Sequence, residues 1–210
     1  MHNSHQIQEL PPAFCWSRFG TEAGEPIEAI LARKEEERLL NEGVFLWGIG
    51  NSVAPGLAEL LRLCDQPEVL FSPIRSRPRA VDVSPATTFA WRAGESLDGG
   101  RYEVPATIRV TSGSSCPDEA PRCHYALVCA TEEPLSISDF GRVTFQELRN
   151  LVSGRGLGAS QVTAVVKQAD EAPSRDGTDY VVALRATLVP PYFVRLREAE
   201  PVSDGFALTT

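Results

Sequence analysis

The chain has 210 residues, 42% of them hydrophobic and 23% charged, and a formal net charge of −8. That length supports one real core in one or two domains, and the composition is that of a globular protein. The charge argues against a non-specific nucleic-acid coat, which needs a basic surface, but leaves room for a local basic groove on an acidic body. No apolar run approaches the roughly 18 residues of a membrane span. Met1 to Gln6 contains no basic segment followed by an apolar one, so a secretory signal is not expected and a cytoplasmic location is. Five cysteines (Cys15, Cys64, Cys116, Cys123 and Cys129) fit reduced, mostly buried thiols better than a disulfide framework, with a Cys116–Cys123 loop disulfide left open.

Residues 1–12 are expected to be a disordered tail. Phe14-Cys15-Trp16 reads as a first strand ending at Ser17-Arg18-Phe19-Gly20. Glu25 to Asn41 reads as a helix, with Pro26 in its first turn and Gly43 at its stop. Ile27, Ile30 and Leu31 give it an apolar face, and Arg33 to Arg38 is expected to be its solvated side. The apolar run Val44-Phe45-Leu46 leads into a glycine-softened turn, Trp47-Gly48-Ile49-Gly50-Asn51-Ser52. A large aromatic beside glycines, an amide and a hydroxyl suits one wall of a pocket for a flat ligand. The motif alone is more in keeping with a core tryptophan at a strand-to-helix corner, since most aromatics lie in cores.

A second helix is expected from Val53 to Cys64, where Val53, Leu57, Leu60, Leu61 and Cys64 repeat at helical spacing. Strands follow at Val69 to Ser72, near Arg79 to Val83, and at Thr88 to Trp91. Gly94 to Gly100 reads as a loop. Tyr102, Val104, Ala106, Ile108 and Val110 alternate cleanly and predict a strand over 102–110. After a polar loop, Tyr125 to Ala130 is another strand. Thr144 and Glu147 form a capping box that predicts a short helix through Val152. Gly154 to Gly158 is a flexible loop. Val162 to Lys167, Tyr180 to Leu188 and Tyr192 to Arg197 are the remaining strands, and residues 198–210 are expected to be a mobile tail. Many strands with few helices predict an α+β fold, a small mixed β-barrel flanked by two or three helices, as a single domain over 13–197.

Catalytic signals are weak. Of the three histidines, His2 and His5 lie in the N-terminal tail, so a histidine-based triad depends on His124, and no serine has nucleophile-elbow glycines around it. Cys116, Cys123, His124 and Cys129 match no usual zinc spacing, and on a strand His124 and Cys129 face opposite ways. Gly154-Arg155-Gly156-Leu157-Gly158 lacks the Gly-Lys-Ser/Thr ending of a phosphate loop and follows a helix-like segment rather than a strand. No enzyme activity, metal or cofactor is expected. Arg75, Arg77 and Arg79 alternate without an interleaved acid, so in an extended segment they share one face and suit phosphates. Pro73 and Pro78 equally fit a solvated, bent surface loop.

The order of parts resembles the EVE and YTH domains of the PUA-like superfamily. A first strand ends in Ser17-Arg18, a helix leads to Trp47 with Asn51 and Ser52 close behind, and a second helix precedes Val69-Leu70-Phe71-Ser72 and a basic turn. Phe145, Leu148, Arg149 and Ser160-Gln161-Val162 loosely match the late helix and strand entry of those domains. The resemblance covers about Phe14 to Lys167 and departs from the pattern in two glycines flanking Ile49, the acidic charge and two extra loops, at 94–100 and 112–122. It implies a small barrel that binds DNA or RNA and takes a modified base into an aromatic cage. Trp47 would then be a cage wall and Trp91 a second one. Asn51, with Ser52, would meet the base edge, Ser17 and Arg18 the backbone or base, and Arg75, Arg77 and Arg79 the phosphates. The expectation is therefore a non-catalytic reader of modified nucleic acid. The alternative is an acidic protein-interaction or structural module of a larger assembly, with a protein partner and no nucleic-acid ligand.

Overall fold

A computed structural model describes residues 10–20, 26–49, 53–74, 87–105, 108–112, 124–169 and 177–201. The expected strand at Arg79–Val83, the Arg75, Arg77 and Arg79 strip, Asn51, Ser52, Cys116 and Cys123 lie outside these residues. The chain divides into two compact units. The first comprises Met1–Gly20, Asn51–Arg75 and Thr131–Leu188, and the second comprises Thr21–Gly50, Ser76–Ala130 and Val189–Thr210.

The first unit is built on β1 (Ala13–Phe19), which is buried along its whole length. It pairs in parallel with β3 (Glu68–Pro73) and antiparallel with β10 (Thr163–Gln168). The strand β9 (Leu148–Asn150) extends β10, and the first part of β12 (Leu184–Pro201) pairs with β3 from Leu184 to Thr187. The order is therefore β12-β3-β1-β10-β9. A central strand flanked on both edges and covered on both faces reads as a continuous buried run, which explains why Phe14, Cys15, Trp16 and Phe19 leave no exposed apolar position. The helix α2 (Ala54–Leu63) packs on β10 and β1 through Gly56, Leu57 and Leu60. A separate two-stranded ribbon joins β8 (Arg142–Thr144) to β11 (Asp179–Val181).

The second unit places α1 (Ile27–Leu40) against β2 (Val44–Ile49). The strand β2 pairs with β7 (His124–Ala130), which neighbours β12. From Val194 to Pro201, β12 pairs with β4 (Thr87–Ser96), and β4 carries the short strands β5 (Arg101–Glu103) and β6 (Arg109–Ser112). Leu46, Trp91, Ile108, Ala126, Val128, Val194 and Leu196 form its apolar cluster.

The expected α+β barrel flanked by two or three helices is corrected by this arrangement. Among the described residues the strands form an open, mixed sheet rather than a closed barrel, and α1 and α2 are the only α-helices. The capping box explains part of the difference. Thr144 does not cap; its hydroxyl donates to Asp179 Oδ1 at 2.8 Å across the β8–β11 ribbon. The segment then makes one 3-10 turn, Phe145–Glu147, and continues as β9 with Leu148 buried. The expected strand over 102–110 is likewise broken. Pro105 has no N–H for a ladder, and its carbonyl instead accepts the Ile108 N–H at 2.9 Å.

The solvated side expected at Arg33 to Arg38 is also corrected. Lys34 and Glu37 are 4% and 2% exposed and continue the buried stripe of Ile30 and Leu31. Lys34 Nζ donates to both Glu37 carboxylate oxygens, at 2.8 and 2.9 Å, and Glu37 Oε2 accepts the Leu46 N–H at 3.3 Å. That N–H belongs to β2, which ends the strand path, so the carboxylate satisfies an edge donor that no strand reaches among the described residues. Burial pulls the Lys34 ammonium below its usual range, opposed by the adjacent Glu37 charge. The turn after α1 closes at Gly43, whose φ of 92° is the left-handed conformation of a helix stop and whose N–H reaches Arg38 O at 2.9 Å. Among the described residues, no helix is long and apolar enough to cross a membrane.

Candidate functional site

Alternation along β1 puts Phe14, Trp16 and Arg18 on one face, so a guanidinium continues a row of two large rings. Trp16 belongs to the apolar cluster of the first unit and is anchored by its indole N–H, which donates to Ser72 Oγ on β3 at 3.0 Å. Phe145, on the 3-10 turn, and Tyr180, on β11, stand near it. The Trp16–Tyr180, Trp16–Phe145 and Phe145–Tyr180 ring centroids are 5.4, 5.8 and 6.2 Å apart. The rings meet tilted or edge-on, the arrangements aromatic quadrupoles prefer.

Arg18 occupies the box these three rings make. Its guanidinium carbon lies 5.6 Å from the Trp16 centroid, 5.7 Å from Phe145 and 5.6 Å from Tyr180. One terminal nitrogen donates to the Ala159 carbonyl at 2.9 Å and to the Gln161 carbonyl, and the other donates to Tyr180 Oη at 3.2 Å. The residue is 8% exposed, and its buried Nε has no hydrogen-bond partner. None of the ion pairs among the described residues includes Arg18. With no carboxylate against it among the described residues, the buried guanidinium is held by ring faces, two carbonyls and the Tyr180 hydroxyl, an arrangement that suits arginine because its charge is delocalised and weakly hydrated.

Ser17 points the other way from β1. Its hydroxyl lies 3.0 Å from Thr163 Oγ1, its cross-strand partner on β10. The backbone N–H of Arg18 is held by Val162 O at 2.7 Å, so the end of β1 and the entry to β10 are fixed together.

The other expected site residues are placed differently. Trp47 sits in β2 opposite Leu127 rather than in a turn, and is 6% exposed. Its neighbour Leu46 shares the apolar cluster with Trp91, so alternation puts Trp47 on the opposite face of β2 from Trp91. The two tryptophans are therefore not brought together as facing walls. Ser17 and Arg18 belong to the first unit, Trp47 and Trp91 to the second. Trp16, Phe145 and Tyr180 were not among the expected site residues. The readable signal was the Phe-x-Trp-x-Arg row in β1, where a charge takes a place the pattern gives to an apolar side chain. Comparison of the chain with protein-family models, curated proteins and solved structures finds no match.

Proposed function

We propose that this chain is a non-catalytic nucleic-acid reader that takes a base into an aromatic box, with arginines on the phosphate backbone. The observation that carries the reading is the flat guanidinium of Arg18 enclosed by Trp16, Phe145 and Tyr180. A site that holds one planar, delocalised group against aromatic faces suits another, and stacking on such faces is worth about 1–3 kcal/mol per base. The order of parts shared with EVE and YTH domains adds support, since it gives Ser17 and Arg18 a place beside the ligand. The sequence strip Arg75, Arg77 and Arg79 supplies cations for the phosphates.

Binding to labelled single- and double-stranded DNA and RNA, modified and unmodified, at low salt tests the reading. Phe145→Ala is expected to weaken the tightest complex by about tenfold or more, the loss of one stacking face. Trp47→Ala, measured beside it, is expected to change affinity by less; the reverse order would move the base to Trp47. No binding to any oligonucleotide, together with recovery of a protein partner from the acidic chain, would replace this reading with that of an interaction module.

A further inference from the structure

If the box is the base pocket proposed above, Arg18 is its resident in the free chain, and the contacts of Arg18 describe what the ligand must offer. A single nitrogen of a flat delocalised group sits between two carbonyls, those of Ala159 and Gln161, and gives a proton to each. The plane carrying that nitrogen lies among three ring faces. An exocyclic amino group on a nucleobase has the same form: an in-plane nitrogen with two N–H donors on a flat ring. Uracil or thymine would bring a carbonyl oxygen against two carbonyl oxygens. An amino group carrying two methyls would have no proton to give either.

We infer that the box selects a base with an unsubstituted exocyclic amino group, which replaces the Arg18 nitrogen between Ala159 and Gln161 while Arg18 turns to the neighbouring phosphate. The exchange explains why Arg18 has no carboxylate partner among the described residues. A fixed internal counter-ion would hold the guanidinium in place, whereas a phosphodiester supplies the missing charge on arrival. A nucleotide satisfies both halves of the exchange. An arginine side chain from a basic protein would fill the box but leave the displaced Arg18 beside a second positive charge. A base that is itself cationic with its amino group intact, such as 3-methylcytosine, keeps a positive charge between the carbonyls and against the rings.

The test uses the full chain and fluorescein-labelled thymidine oligomers with one central variable base: cytosine, 3-methylcytosine, N4,N4-dimethylcytosine or uracil. Anisotropy titrations at low salt are expected to give cytosine an advantage of about tenfold or more over uracil, since a site built around donors leaves its acceptors unpaired with the wrong base. 3-Methylcytosine is expected to bind at least as tightly as cytosine, and the dimethylated base to fall to the uracil level. Phe145→Leu, which keeps an apolar side chain at the box, is expected to weaken the cytosine oligomer and leave the uracil one unchanged. Equal affinity for cytosine, uracil and dimethylcytosine, still reduced by Phe145→Leu, overturns the selectivity and leaves the base-box reading standing. Oligomer binding that Phe145→Leu does not alter overturns the box as the site. Failure of every oligomer to bind, or capture of an arginine-rich peptide in their place, overturns both.

Discussion

Arg18 and Cys15 lie on opposite faces of β1, have opposite chemical characters, and are both buried. Around Arg18, ring faces, two carbonyls and the Tyr180 hydroxyl stand where water would otherwise be. Cys15, fully buried between Val165 and Val69, has nothing to stabilise a thiolate, and burial pushes its thiol up to about 12. A thiol titrating near its ordinary value in the unfolded chain and near 12 in the folded one makes the unfolded state lose its proton first. The stabilising contribution is therefore whole below about pH 9 and is lost as pH rises from there toward 12, at about 1.4 kcal/mol per pH unit. Urea unfolding of the wild type against Cys15→Ala should show a constant offset below pH 9 that shrinks above it. An offset independent of pH up to 11 would mean that the thiol ionises equally easily in both states. The same burial predicts that Cys15 resists alkylation in the native chain while the half-buried Cys64 reacts.

At the scale of elements, α2 lies close on β10 at a glycine. A Cβ on Gly56 would lie 2.8 Å from Val165 Cβ and 3.1 Å from its Cγ2, and neither atom is the free end of a flexible side chain. Alanine would gain about 1 kcal/mol of helix propensity but meet an overpacking cost of about 1–3 kcal/mol. Gly56→Ala is therefore expected to lower the urea midpoint, and Val165→Ala in the same chain to recover part of the loss beyond additivity. A stabilised Gly56→Ala would show that the helix shifts outward freely. The two helices, and the strands at 13–19, 68–73, 124–130 and 163–168, were legible within a residue or two because period and punctuation agreed there. The segment 142–150 was not. A capping pattern is a local preference, and cross-strand pairing of Thr144 with Asp179 and of Leu148 with Gln168 outweighed it. Lys34 and Glu37 were misread for a related reason: their charge suggested solvent, while their spacing from Ile30 placed them on the buried stripe. The open sheet was not legible at all, because strand order and closure depend on pairings between residues far apart in sequence. At the candidate site, the order of parts pointed to Ser17 and Arg18 but not to Phe145 and Tyr180, which reach Arg18 only through that same long-range pairing.

Charge is the property of the whole molecule that bears on the proposed function. An acidic chain of net charge −8 gains little from the general attraction that drives non-specific binding to nucleic acid. Whatever affinity it has for an oligonucleotide must come from a few cations aimed at phosphates and from the base itself. The candidates are Arg18, under the exchange proposed above, and the sequence strip Arg75, Arg77 and Arg79. Each phosphate neutralised on a single strand contributes about −0.7 to the slope of log K against log salt, so four arginines set a ceiling near −3. Anisotropy titrations of the cytosine oligomer between low and physiological salt are expected to give a slope no steeper than that ceiling. Replacing Arg75, Arg77 and Arg79 by glutamine should flatten it toward about −0.7, the value for one remaining contact. The ratio of cytosine to uracil affinity should survive both the salt and the replacement, because base choice in the box involves no phosphate. A steep slope that the three replacements leave untouched would place the phosphate contacts elsewhere on the chain. A cytosine preference lost with the three arginines would show that the strip, not the box, had been doing the selecting.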